Sequence, residues 1–391
     1  MDREWSDLDI VFSIGVTFAL GALITIFFFG SSEEASGGET DKDFGLALID
    51  LLNQHDPHWC PVEVIALLKN VVNEDLVREY DAVVCAGLIV QNIATKESEY
   101  SDIDPMFLSK PLRAKMAHFL RYASGMAGAV YKDSRCCIHV DYLTETMVVC
   151  FTNELLNQLR FTAAEIQDQN VVPFSFLPHF ECSEHFNVAM SSYYDTYNPI
   201  IENLLKENSE NSSLLLKVVF TGHGMGGTVS STFAYILYES ELSHRFECEA
   251  FVYGPIPCLV SRTHIDAKYI HVLVQEADVY SRLSTAKVQN LEKFIETLGK
   301  HSSAGNRLDW VLKDQAPNSV VADCLNTTLG IVNTFTPSIK DRKHIGDIYH
   351  IEGGHLYMQA SRFYSLPLVG RSSFVLDHEL NKYSCALNKL A

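Results

Sequence analysis

Hydrophobic and polar positions change their spacing twice along the chain. Ile10 to Phe29 ("IVFSIGVTFALGALITIFFF") runs without a charge. A helix of about 20 apolar residues crosses a bilayer, so residues 1–30 read as a membrane anchor and the chain as single-pass. A cleaved leader stays open as the alternative, since Gly30-Ser31-Ser32 offers small residues. Against it, the run exceeds a leader's apolar core of roughly 7–15 residues, and "MDREWSDLD" before it is acidic. A buried core helix is the third reading. Arg3 and Lys42 are the only basic residues near the run, which leaves its sidedness undetermined. Residues 31–43 ("SSEEASGGETDKD") are an acidic linker. Residues 44–113 follow with helical spacing in "FGLALIDLLNQ" and "PVEVIALLKNVV", where Pro61 suits a first helical turn. A further helix is predicted over Ala114–Tyr131.

From Cys136 the period shortens. "IHVDYL", "TMVVCFT", "LKVVF", "CEAFVYG" and "YIHVLVQ" are short β-type runs, and "HIGDIYHIEG" and "HLYMQA" lie late in the chain. Helical patterns over 187–207 and after Gly224 separate them. Strands alternating with helices predict an α/β fold with a mainly parallel central sheet covered on both faces. A large domain over 114–391 follows.

Composition narrows the function classes. The chain has 391 residues, 47% of them hydrophobic, enough for a large core without staples. Its formal net charge of -19 argues against nucleic acid, which is held by a basic face. The ten cysteines are scattered, with no C-x-x-C pair to suggest a metal. No cofactor motif stands out: the glycine-rich turn after "LKVVF" lacks the Lys-Ser/Thr of a phosphate loop and fits no dinucleotide register.

That turn carries the candidate chemistry. Gly222-His223-Gly224-Met225-Gly226 has the layout of a nucleophile elbow, G-x-S-x-G, with glycine in the serine position. Small residues two before and two after the nucleophile let strand and helix pack closely, and Gly222 and Gly226 meet that demand.

At this point the sequence resembles a family. "VVFTGHGMGGTVSS" is similar to the G-H-S-L-G-G elbow of the fungal-type (class 3) lipases, and the diacylglycerol lipase branch looks closest. "CEAFVYGPIPCLVS" resembles the strand and loop after their elbow helix. "YIHVLVQEADVYSRL" resembles their aspartate segment, with Asp278 and Arg282 on its D-x-x-x-R unit. "DIYHIEGGHLY" resembles the next hairpin, and "SSFVLDHELNKYSCAL" the closing segment that carries the catalytic histidine, here His378. "RYASGMAGAVY" and "SEHFNVAMSSYY" match upstream. The likeness spans about residues 114–385 and implies an α/β-hydrolase fold.

Residue by residue, the resemblance implies Gly224 at the nucleophile position, Asp278 as the acid and His378 as the base. Taken alone, Asp278 would be an ordinary loop acid and His378 an ordinary solvated or core histidine. Asp377 beside it reads as a helix cap. The oxyanion region falls on Met225 and on Thr152, Asn153 and Glu154, which with Phe151 stand where the family has an F-R-G-T unit. Asn187 replaces a glycine of the family's H-x-G. Gly224 offers no oxygen for an acyl-enzyme, and Glu154 would oppose a developing oxyanion. A losing one oxyanion donor alone costs about 3–4 kcal/mol. Two functions are expected from this. One is a catalytically impaired lipase-like protein that binds a lipid or acylglycerol-like ligand, or a protein partner. The other is an active acylglycerol lipase using a non-standard site or carrying a variant glycine. "YGPIPCLVS" would border the ligand pocket in both.

Overall fold

The computed structural model describes residues 107–123, 128–141, 144–152, 171–211, 216–240, 246–261, 264–276, 278–283, 342–358 and 378–390, with isolated positions between 300 and 320. All lie in the unit His58–Ala391. The expected span Ile10–Phe29, the linker 31–43, most of the helical region 44–113, and Asn153, Glu154 and Asp377 fall outside the described residues. Among the described residues no helix is long and apolar enough to cross a membrane.

Helix α1 spans Lys110–Ala123, and strands β1 (Tyr131–Lys132), β2 (Cys136–Asp141) and β3 (Thr146–Phe151) follow. A hairpin of β4 (Val171–Phe174) and β5 (Leu177–Ser183) leads into the long helix α2 (Glu184–Asn211). Then come β6 (Leu216–His223), α3 (Met225–Glu239), β7 (Phe246–Tyr253), β8 (Leu259–Val260) and β9 (Ile270–Gln275). A 3-10 turn (Tyr280–Arg282), β10 (Arg342–Lys343), β11 (Asp347–Glu352), β12 (His355–Tyr357) and α4 (Leu380–Lys389) complete the order.

The main sheet has eight strands, ordered β1-β2-β3-β6-β7-β9-β11-β12. The five from β3 to β11 are parallel, and antiparallel strands close both edges. Every residue of β3 and β9 is buried, as expected of parallel strands covered on both faces. On one face α1 and α4 pack through Met116, Phe119, Leu120, Tyr383 and Leu387 onto Val148, Val219, Phe251, Tyr253 and Leu273. Phe233 of α3 and Tyr193 and Tyr197 of α2 pack on Phe151.

Three departures from the sequence expectations have local causes. Helix α1 begins earlier than Ala114, because the Ser109 hydroxyl accepts from the Leu112 amide and Pro111 suits the first turn. It ends at Ala123, and Tyr131, expected in the helix, lies in β1. The helix thus crosses the boundary placed at 113/114. Helix α2 begins at Glu184 rather than 187, since the Ser183 hydroxyl caps the Phe186 amide at 2.9 Å. The β4–β5 hairpin was not expected. It belongs to a second antiparallel sheet, β10-β8-β5-β4, in which β4 is an edge. Pro173 lies in β4, beside a register shift at Phe174, as proline tolerates only an edge or irregular strand position.

The core also holds a titratable group away from the elbow. His271 on β9 stacks on Phe251 at 4.9 Å and meets the Tyr349 hydroxyl at 3.2 Å. Burial lowers its pKa to about 4. The unfolded chain therefore takes up this proton from about pH 6.5 downward while the folded one does not. Stability should fall as pH drops from 6.5 toward 4. His271→Phe should flatten that slope in urea titrations run across the interval; an unchanged slope would show that His271 does not carry it.

Candidate functional site

The turn after β6 is built by backbone crowding. Gly222 lies so close to the first turn of α3 that a Cβ on it would sit 2.5 Å from the Gly226 carbonyl carbon. A Cβ on Gly226 would sit 2.2 Å from the Phe151 carbonyl oxygen, at the end of β3. The two glycines thus let β6, α3 and β3 meet at one point. Between them Gly224 takes φ 56° and ψ −124°, a conformation that side chains with a Cβ rarely adopt. The turn has the layout of a nucleophile elbow, a tight strand-to-helix turn, with no side chain at its tip. Hydroxyls hold it in place. Thr228 donates to the Ile256 carbonyl at 2.9 Å and accepts from the Ile256 amide at 2.8 Å, while Ser230 donates to the Thr221 carbonyl at 2.6 Å. The Gly224 amide donates to the Tyr253 carbonyl at 2.9 Å. As the first residue of α3, Met225 presents an amide with no acceptor inside the helix.

Asp278 follows β9 and is fully buried. The His378 Nδ1–H donates to its Oδ2 at 2.9 Å. The Tyr383 hydroxyl donates to the same oxygen, and Ser281 Oγ adds a longer contact of 3.3 Å. Oδ1 accepts from the Tyr280 amide at 2.9 Å. Burial alone would raise the Asp278 pKa, but the charge of His378 and the donors from His378 and Tyr383 outweigh it and hold the carboxyl below the ordinary range. Arg282 folds back through Nε onto the Asp278 carbonyl at 3.2 Å. The segment is tied down from β11 and its approach: His350 Nε2 donates to the Glu276 carbonyl at 2.8 Å, and His344 Nε2 to the Ser281 carbonyl at 2.7 Å. Glu276 itself has a positive φ of 42°, and its carboxylate accepts the Gly353 amide at 2.9 Å in the β11–β12 turn.

His378 sits just before α4 and is 5% exposed. His223, the residue before Gly224, joins the elbow to it. Its Nε2–H donates to the His378 carbonyl at 2.6 Å, and the two rings lie 4.3 Å apart. Although His223 keeps part of its surface accessible, burial first and the neighbouring His378 second lower its pKa to about 3, so it stays neutral. The Tyr280 ring covers His378 at 4.3 Å. The structure thus brings Gly224, Asp278 and His378 to one end of the parallel strands. With the imidazole fixed as a donor toward a buried carboxylate, the pair is arranged as an acid-held general base.

The remaining expected site residues stand as follows, as far as they are among the described residues. The Thr152 backbone adjoins the elbow, its carbonyl carbon 3.3 Å from where a Cβ on Gly226 would sit, while its hydroxyl donates to the Ser134 carbonyl at 2.8 Å and its amide to the Arg135 carbonyl at 2.9 Å. Asn153 and Glu154 lie outside the described residues. Asn187 accepts the Ser175 amide at 3.0 Å and so caps the β4–β5 turn. The segment expected at a pocket border, "YGPIPCLVS", is buried from Tyr253 to Val260 and supplies β8 to the second sheet. Among the described residues no group of three or more His, Cys, Asp or Glu side chains is placed to hold a metal ion.

Two residues of the site were not singled out for it from sequence. Gly254 has φ 55°, and a Cβ there would sit 2.5 Å from the Tyr383 hydroxyl, 2.6 Å from Asp278 Oδ2 and 3.1 Å from His378 Nδ1. Tyr383 is the other. Its signal was its position on the helix that begins beside His378, one turn and a half further on.

Comparison with known proteins places the site in context. The profile of the family "Lipase (class 3)" matches residues 152–286. Among solved structures, lipase II from Rhizopus niveus is 12% identical, with 46% of this chain and 77% of that chain covered and a TM-score of 0.35. The native Rhizomucor miehei lipase propeptide complex is 13% identical, covering 71% and 83%, with a TM-score of 0.41. The mono- and diacylglycerol lipase from Aspergillus oryzae is 12% identical, covering 45% and 74%, with a TM-score of 0.31. No curated protein matches the chain. The profile match runs through the elbow strand, its helix and Asp278, and it supports a class 3 lipase-like protein.

Proposed function

We propose that this chain is a single-pass membrane protein of acylglycerol metabolism, related to the diacylglycerol branch of the class 3 lipases, that has lost serine hydrolysis and acts by binding. Its ligand is a lipid of acylglycerol type or a protein partner, and Ile10–Phe29 is its anchor. The observation that carries this reading is Gly224: the elbow backbone has its tight turn at φ 56° and ψ −124° with no oxygen to attack an ester. A glycine there also removes the strain that a serine would carry, about 1–3 kcal/mol.

A second reading has its own support. The buried Asp278–His378 pair at 2.9 Å is assembled as a working base would be, which favours residual hydrolysis of acylglycerols.

One experiment separates them. The full chain and its Gly224→Ser variant are treated in detergent with a fluorophosphonate probe and with short-chain esters. Labelling of the serine variant and none of the native chain is expected. Ester turnover by the native chain, abolished by His378→Ala, would overturn the binding reading in favour of the second.

A further inference from the structure

We infer that Tyr383 is a positioning residue for the Asp278–His378 pair, acting by sharing the carboxylate oxygen to which His378 is bonded. The inference rests on reading that pair as the acid and base of a lipase-type site.

Three observations carry it. First, the Tyr383 hydroxyl and His378 Nδ1–H converge on one atom, Asp278 Oδ2, and both come from the same short stretch of chain, five residues apart. Asp278 Oδ1 is occupied separately by the Tyr280 amide, so the carboxylate cannot rotate to spread the load. Second, the tyrosine ring is fully buried and fixed by the core. It lies edge-on to Tyr253 at 6.2 Å and to His223 at 5.8 Å, and belongs to the cluster formed by α1, α4 and the sheet. The hydroxyl therefore points at the oxygen without freedom to swing away. Third, the backbone opposite is cleared for this contact. At Gly254 a Cβ would meet the Tyr383 hydroxyl first, then Asp278 Oδ2 and His378 Nδ1. The three groups form one close cluster with no room for another side chain.

Physically, the Tyr383 donor, much closer to Oδ2 than the Ser281 hydroxyl at 3.3 Å, draws charge from the acceptor that His378 uses. It keeps the carboxyl ionised and weakens its pull on the imidazole proton. Tyr383 sets where that proton sits, as well as where the ring points.

The test reads the proton itself. In the full chain, the downfield ¹H resonance of His378 Nδ1–H is recorded by NMR, with assignment through His378→Gln. In Tyr383→Phe the ring and its packing stay and the donor goes, so the resonance is expected to move further downfield. An unchanged resonance in a folded Tyr383→Phe variant would overturn the inference and leave Tyr383 a packing residue. Should that variant not fold, 3-fluorotyrosine placed at position 383 keeps the shape and makes a stronger donor. The resonance is then expected upfield, and no movement again overturns the inference. Probe labelling gives a separate arm: within Gly224→Ser, adding Tyr383→Phe should change the labelling rate. Absence of all labelling in Gly224→Ser would count against the lipase-type reading, while the resonance still reports on Tyr383.

Discussion

Alanine at position 226 is expected to cost this protein about 3 kcal/mol or more, the upper range for overpacking. The reason is the neighbour. A Cβ there would sit 2.2 Å from the Phe151 carbonyl oxygen and 2.9 Å from its carbon, and both are backbone of a central strand. A flexible side chain could move aside, but a strand hydrogen-bonded on both edges cannot do so without breaking its ladder. Against a total stability of about 5–15 kcal/mol, the loss should appear as a large drop in the urea midpoint, or as failure to accumulate folded protein. Gly353→Ala is the control. It has a positive φ of 60°, which Gly226 does not, but nothing lies within 4 Å of a Cβ there, so only the backbone cost of about 1 kcal/mol is expected. If Gly226→Ala melted like Gly353→Ala, the crowding at the elbow would not govern stability.

The second large effect is at Asp278. Removing the carboxylate by Asp278→Ala leaves His378 Nδ1–H, the Tyr383 hydroxyl and the Tyr280 amide facing a dry void. Breaking a buried, charge-assisted cluster from one side typically costs about 3–5 kcal/mol. The pH dependence has a definite sign. The Asp278 pKa is lower folded than unfolded, where the ordinary value is 3.8. Its stabilising contribution is therefore complete above the ordinary carboxylate range. It is lost as pH falls from there through the lower folded value, because the unfolded chain binds the proton first. The gap between native and Asp278→Ala stability should be wide at neutral pH and should close only in strong acid. A gap that stayed constant down to that range would mean the carboxylate is not the source.

How much of this was legible beforehand depended on distance along the chain. The strands β2, β3, β6, β7 and β9 were legible as β-branched and aromatic runs; β3 and β9 are buried along their whole length, while β7 admits charge only at its start, at Glu247 and Glu249. The elbow was legible in Gly222, Gly224 and Gly226 because its demand for small residues arises within five positions. The β4–β5 hairpin was not, since Pro173 and Pro178 break the pattern that marks a strand. Strands β8 and β10, two residues each, are too short to carry any period. At the site, Asp278 and His378 were found through the resemblance, not through spacing. Gly254 and Tyr383 were missed because the reason for each is the other: a glycine on β7's exit and a hydroxyl on α4 matter only once folding brings them together. The Thr152 backbone does lie beside the elbow, but its hydroxyl and amide face the Ser134–Arg135 turn, a direction set by carbonyls that sequence does not locate.

The contacts around His378 also bear on the order of folding. His378 reaches 100 residues back to Asp278 and 155 back to His223, and Tyr383 reaches 105 back to Asp278. Closing such loops is unfavourable until the intervening sheet has formed, so contacts of this span come late. The downfield proton of His378 would then serve as a clock for the last step of assembly. It can appear only after β6, β7 and β9 lie side by side and α4 has docked on them.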